Sequence, residues 1–149
     1  MSVMKYDERP IENLKIGDKA LFVKTVSETD ITLYAGSSAD FSPLYLNQQF
    51  AEENRFRART AHPMLIGTMA GGAIYRLVPL GSWCLKRSFE TIAPVFPGDT
   101  ITILAKIANI DYERRLIDVE FECYNQKEEL VMKGSSREEL KQQRKGEQA

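Results

Sequence analysis

The chain carries one histidine, His62, and two cysteines, Cys84 and Cys123, among 149 residues. A histidine with a pKa near about 6.5 can take up and return a proton at neutral pH, whereas a tyrosine near about 10 is mainly a hydrogen-bond donor. The cysteines are far apart in the chain and lack a CxxC spacing, so a zinc site with four sulfur and nitrogen ligands is hard to build and no metal is expected. Residues 37–47, SSADFSPLYLN, place Asp40, Ser42 and Tyr45 in one polar loop. On residue type alone Asp40 is a proton-transfer group or a turn aspartate, and Ser42 is first a turn residue, with a pocket-facing hydroxyl as its other reading. Just beyond, RFRAR supplies Arg55, Arg57 and Arg59, a basic cluster suited to phosphate groups or to an acidic partner surface, and equally a solvated loop.

These residues lie between an early strand, 19–26, and a long apolar segment, 63–80, and such an excursion is a common place for a site. PMLIGTMAGGAIYRLVPL is too short, and too interrupted by Arg76 and its prolines, to span a bilayer. It reads instead as a helix buried in a protein interior, with Pro63 in its first turn and Pro79 and Gly81 marking its end. Gly67, Gly71 and Gly72 each cost about 1 kcal/mol of helix propensity against alanine, which predicts close approach of another backbone. Ser27 to Asp30 resembles a capping box opening a short helix through Gly36, and 48–54 reads as a further helical turn. Strands are predicted at 83–93, 100–110, 115–125 and about 129–135, joined by short turns such as PVFPGDT. Consecutive strands with short connections form an antiparallel sheet, and one buried helix beside it gives an α+β fold with the sheet wrapped around the helix.

Lysine and arginine number 20, aspartate and glutamate 21, and a net charge of −1 offers no footprint for nucleic acid or an anionic membrane. A 43% hydrophobic content supports one sizeable core. The polar start, MSVMKYDERP, lacks the apolar stretch of a secretory signal, so a cytoplasmic location with reduced, buried thiols is expected. One domain is predicted over 1–132, followed by a polar, flexible tail over 133–149.

SSADFSPLYLNQQFAEENRF, then TAHPMLIGTMAGG, then FETIAPVFPGDTITILAKI together resemble the MaoC-like hotdog family, the R-specific enoyl-CoA hydratases and dehydratases. The resemblance spans roughly residues 20–125. It implies a bent antiparallel sheet around a central helix, a homodimer with continuous sheets, and a tunnel for an acyl thioester of coenzyme A or of acyl carrier protein, with no separate cofactor. Where the family reads D-x-N-P-x-H, this chain has Asp40-Phe41-Ser42-Pro43-Leu44-Tyr45. Asp40 then matches the family's catalytic acid/base. Ser42 stands for the asparagine, and Tyr45 for the histidine that shares the water chemistry, leaving Tyr45 to orient water or substrate. The matching His62 is mainly structural in the family, at the helix entrance, with supply of the missing base or substrate contact as its other readings. Where the family's A-H-G offers a glycine N–H to the thioester oxygen, Ala61-His62-Pro63 has none. Arg57 and Arg59 are the expected contacts for the carrier's phosphates or acidic surface.

If active, the chain is expected to be a hydro-lyase with a departed site. The other readings are a non-catalytic acyl-binding or partner subunit of a heteromeric dehydratase, and a thioesterase using Asp40. No acidic residue lies in 63–78, which disfavours thioesterases that use a carboxylate on the central helix.

Overall fold

The computed structural model describes residues 9–140. Alternation of apolar and polar residues builds the sheet, because successive side chains of a strand point to opposite faces. In β3, Thr100–Asp111, the residues Ile101, Ile103, Ala105 and Ile107 are fully buried on one face. β4, Leu116–Tyr124, repeats the pattern with Ile117, Val119, Phe121 and Cys123. Both are flanked on each side, β3 by β1 (Lys19–Thr25) and β4 by β5 (Leu130–Glu139), while β2 (Trp83–Thr91) pairs with β5 alone. All pairings are antiparallel, in the order β1-β3-β4-β5-β2. Irregular register at Ile107/Asn109, Cys123/Tyr124 and Cys84/Lys86 is the kind of local break that bends a sheet.

Among the described residues the four α-helices are α1 (Glu28–Ser38), α2 (Pro43–Leu46), α3 (Gln48–Glu52) and α4 (Pro63–Leu77). α4 lies on the sheet and buries Leu65, Ile66, Met69, Ala70, Ala73, Ile74 and Leu77. This is the single-domain α+β hotdog architecture that the resemblance implied. Two details differ from expectation. First, α4 is not enclosed all round, for Met64, Thr68 and Tyr75 form an exposed stripe at helical spacing. Second, its glycines admit side chains rather than a backbone: a Cβ at Gly67 would stand 2.3 Å from the Phe89 ring, and one at Gly72 would stand 2.9 Å from Phe22.

The C-terminal boundary also shifts. Residues 133–139 belong to β5, and Ser136, Glu138 and Leu140 are buried, so the tail expected from residue 133 does not begin there. Polar residues hid this strand because its inward face carries serine and glutamate. The remaining tail, 141–149, lies outside the described residues. Of the two thiols expected to be buried, Cys123 is and Cys84 is exposed on the edge strand β2. Burial pushes the Cys123 thiol up to about 12.

Gly134 sits in β5 directly between Phe121 of β4 and Phe89 of β2. A Cβ there would meet the Ser88 carbonyl oxygen at 2.3 Å and Phe121 Cζ at 2.6 Å, so the strands close only around a glycine. Gly134→Ala is expected to cost about 1–3 kcal/mol by overpacking, read as a lower urea midpoint at unchanged m-value.

Candidate active site

The capping box at the start of α1 forms as expected: Asp30 N–H donates to Ser27 Oγ (3.1 Å) and Ser27 N–H to Asp30 Oδ2 (2.9 Å). α1 ends on Ala39 in the left-handed region (φ 59°), and that reversal delivers Asp40 to the entrance of α4. Ser42 N–H donates to Asp40 Oδ1 (3.2 Å), a local turn that fixes the carboxylate before α2 begins at Pro43. At the α4 entrance, Ala61 N–H donates to the Val95 carbonyl (2.7 Å), which ties the helix start to the PVFPGDT turn.

Asp40 and His62, 22 residues apart, meet at 2.7 Å between Oδ2 and Nε2. The direction of this bond follows from the ring's other nitrogen. Met64 N–H donates to His62 Nδ1 at 3.0 Å, so His62 is the N-cap of α4 and Nδ1 carries no hydrogen. In the neutral ring the hydrogen is therefore on Nε2, which donates to Asp40. Both nitrogens are engaged, and the group left to accept a proton is the Asp40 carboxylate. The His62 bond, followed by the Ser42 N–H, holds the Asp40 carboxyl below the ordinary aspartate value.

His62 also contacts two tyrosine rings, Tyr45 with centroids 4.5 Å apart and Tyr34 at 5.1 Å. Burial raises the pKa of Tyr45, and the charges of Asp40 and Tyr34 add to this. The phenol therefore stays protonated and keeps its O–H as a donor. Tyr45 and Pro63 line a cleft of about 300 Å³ together with Leu44, Thr60, Ile66 and Thr91–Val95. Ser42 reaches Asp40 through its backbone and is absent from that lining.

The first turn of α4 offers the cleft no spare donor. Pro63 has no N–H, Met64 N–H is held by His62 Nδ1, and Leu65 N–H donates to the His62 carbonyl (3.0 Å). The arginines separate. Arg59 donates to Glu28 Oε2 (3.0 Å) and to the Tyr45 carbonyl (3.3 Å), which clamps α2 against the start of α1. Arg57 is exposed in the left-handed region (φ 55°), away from the cleft lining, whereas Arg55 lines the cleft and stacks on Phe56 at 4.6 Å. Sequence reasoning missed Thr60, Tyr34 and the walls contributed by Thr91–Val95, Val131 and Met132. Only the position of Thr60 beside Ala61-His62 pointed toward the site. Among the described residues, no group of three or more His, Cys, Asp or Glu is placed to hold a metal ion, and no helix is long and apolar enough to cross a membrane.

Residues 12–127 match the model of the MaoC-like domain family, and the chain belongs to that family. It is 33% identical over 113 residues to an (R)-specific enoyl-CoA hydratase of Rhodospirillum rubrum, covering 75% of this chain and 78% of that protein. It is 27% identical over 126 residues to a 3-hydroxybutyryl-CoA dehydratase of Methylorubrum extorquens, covering 84% of this chain and 80% of the relative. Among solved structures, unliganded R-hydratase from Pseudomonas aeruginosa superposes with a TM-score of 0.83 at 25% identity, covering 91% of this chain and 88% of the other.

Removing the imidazole tests the assignment of the proton-accepting group. In His62→Ala the Asp40 carboxyl is expected to titrate closer to the ordinary aspartate value of about 3.9, measured by carbon NMR of the carboxyl group. The sign for stability follows: the folded-state value is depressed, so the Asp40–His62 bond favours the fold above about pH 4 and this contribution is lost as pH falls through the depressed value. An unchanged carboxyl midpoint in the variant contradicts the bond's role.

Proposed function

We propose that the chain binds acyl thioesters of coenzyme A or acyl carrier protein and reversibly hydrates 2-enoyl thioesters, with a site altered from that of its family. The observation that carries this reading is the ionised Asp40, fixed by His62 and Ser42, in a group with a protonated Tyr45 that lines a cleft of mixed polar and apolar walls. Asp40 takes a proton from water as the hydroxyl oxygen bonds to C3 of the enoyl group. The electron pair moves through C2 to the thioester oxygen, where the Tyr45 hydroxyl donates. Asp40 then returns the proton to C2, giving the 3-hydroxyacyl thioester. The reaction needs no cofactor beyond the carrier on the thioester. Arg55 at the cleft is best placed to meet a carrier phosphate, while Arg59 positions Tyr45 through its carbonyl.

A homodimer completes the fold in this reading. Edge strand β2 exposes Trp83 (73%) and Leu85 (50%), and the neighbouring helix exposes the stripe at Met64, Thr68 and Tyr75. Long apolar edges are normally protected, and pairing β2 with β2 of a second copy protects this one. An aqueous, reducing compartment such as the cytoplasm suits the free thiols.

The fully used N–H groups at the start of α4 favour a second reading, a partner subunit that binds the acyl group while another hotdog chain supplies the chemistry. Loss of one oxyanion donor lowers rates by about 100–1000-fold, so the first reading predicts a slow enzyme. Loss of the conjugated enoyl absorbance of short and medium trans-2-enoyl-CoAs separates the two. The expected result is slow hydration, abolished in Asp40→Asn and raised on the order of 100-fold in the Tyr45→His, Pro63→Gly double variant. No turnover by the purified chain, with turnover appearing only on mixing with a second hotdog subunit, establishes the partner reading instead. For the dimer, sedimentation is expected to give twice the chain mass, and Leu85→Lys in the edge strand to shift it toward one.

A further inference from the structure

A second cavity, of about 280 Å³, lies beside the C-terminal half of α4, toward the end of the β2–β5 edge opposite the Tyr45 cleft. Gly71, Ile74, Tyr75 and Val78 form part of its lining, but Arg87 and Glu138 line it as well. Glu138 is only 4% exposed. Its Oε1 accepts from Ser136 Oγ (2.6 Å) and from Arg87 Nη2 (3.4 Å), and Arg87 Nε donates to Ser136 Oγ (3.3 Å). Stability does not call for such a group, because apolar residues of similar volume in place of a buried ion pair are often neutral or stabilising. Arg87 Nη1 is turned toward α4 at Gly71, where a Cβ would stand 3.2 Å away. The missing side chain at that position leaves room beside the guanidinium within the cavity wall.

The charges of Arg87 and Glu138 cancel. A ligand carboxylate would leave a net negative charge beside the buried Glu138, whereas a hydroxyl or carbonyl can take a hydrogen bond from the guanidinium without that cost. We propose that this cavity receives an uncharged hydrogen-bonding group, a hydroxyl or carbonyl, at the far end of the acyl chain, an inference that rests on the thioester reading above. Within one chain the Phe89 ring stands against Gly67, which lies along α4 between Ile66 of the cleft and Gly71 of the cavity. In the homodimer proposed above, antiparallel two-fold pairing of β2 would set the Cys84–Arg87 end of one copy beside the Thr91 end of the other, offering each cleft a route into the second copy's cavity. The substrate class is therefore a polar-ended acyl thioester rather than a plain alkanoyl one.

Calorimetric titration of the full chain with saturated acyl-CoAs, which cannot turn over, tests this directly. The probes are methyl-, hydroxyl- and carboxylate-ended chains of six and eight carbons. The hydroxyl-ended ligand is expected to bind about 10-fold tighter than its methyl-ended counterpart at one of these lengths, with the carboxylate-ended one weakest. In the Arg87→Leu, Glu138→Val double variant the preference is expected to vanish while methyl-ended binding is kept, and in the milder Glu138→Gln variant to shrink. Equal binding of hydroxyl- and methyl-ended ligands at both lengths overturns the inference alone, as does tighter binding of the carboxylate-ended one. Failure of every acyl-CoA to bind overturns the thioester reading and the inference with it.

Discussion

The hydrogen bond between Asp40 and His62 is the contact on which the site's arrangement turns. It joins the end of α1 to the start of α4, 22 positions apart, across intervening loop and short helices. Because His62 also accepts the Met64 N–H, one imidazole caps the central helix, sets its own tautomer and orients the carboxylate. Its contacts with Tyr34 and Tyr45 leave the ring little freedom to turn. The Arg59 link to Glu28 and to the Tyr45 carbonyl secures the same assembly from its other side.

This geometry reassigns the chemistry that residue types suggest. A lone histidine in a chain draws attention as a general base, but here both nitrogens are engaged, one by the Met64 N–H and the other by Asp40. Tyr45 complements the carboxylate: held neutral by burial and by neighbouring negative charge, it has a hydrogen to give rather than a site for a proton. Proline at position 63 then has a consequence beyond its own missing donor. The next two N–H groups are absorbed by His62, so the helix terminus presents the cleft with no alternative.

Much of the fold was legible in the sequence because its strands alternate cleanly. Ile101, Ile103, Ala105 and Ile107 announce β3, and the all-apolar run from Pro63 announces α4. β5 was underestimated because Ser136 and Glu138 face inward, where an alternation rule expects apolar residues; their mutual hydrogen bond makes that burial tolerable. The glycines of α4 were recognised as marking a close approach, but not what approaches, since ring positions depend on β2 and β1 rather than on the helix. Within the site, Asp40, Tyr45 and His62 stood out by type and motif. Their pairing did not, because a bond across 22 residues depends on the left-handed turn at Ala39, and nothing in that alanine's identity announces such a conformation. The arginine cluster divided for the same reason, with Arg59 drawn to Glu28 on a distant helix.

The double duty of His62 bears on how such a site drifts. Were the histidine only a partner of the carboxylate, loss of catalysis would free it to change. As the cap of the central helix it remains under selection for folding alone, and Asp40 opposite it remains the natural acceptor for its Nε2 hydrogen. Persistence of this pair in a relative therefore follows from anchoring the helix as well as from any chemistry the carboxylate performs.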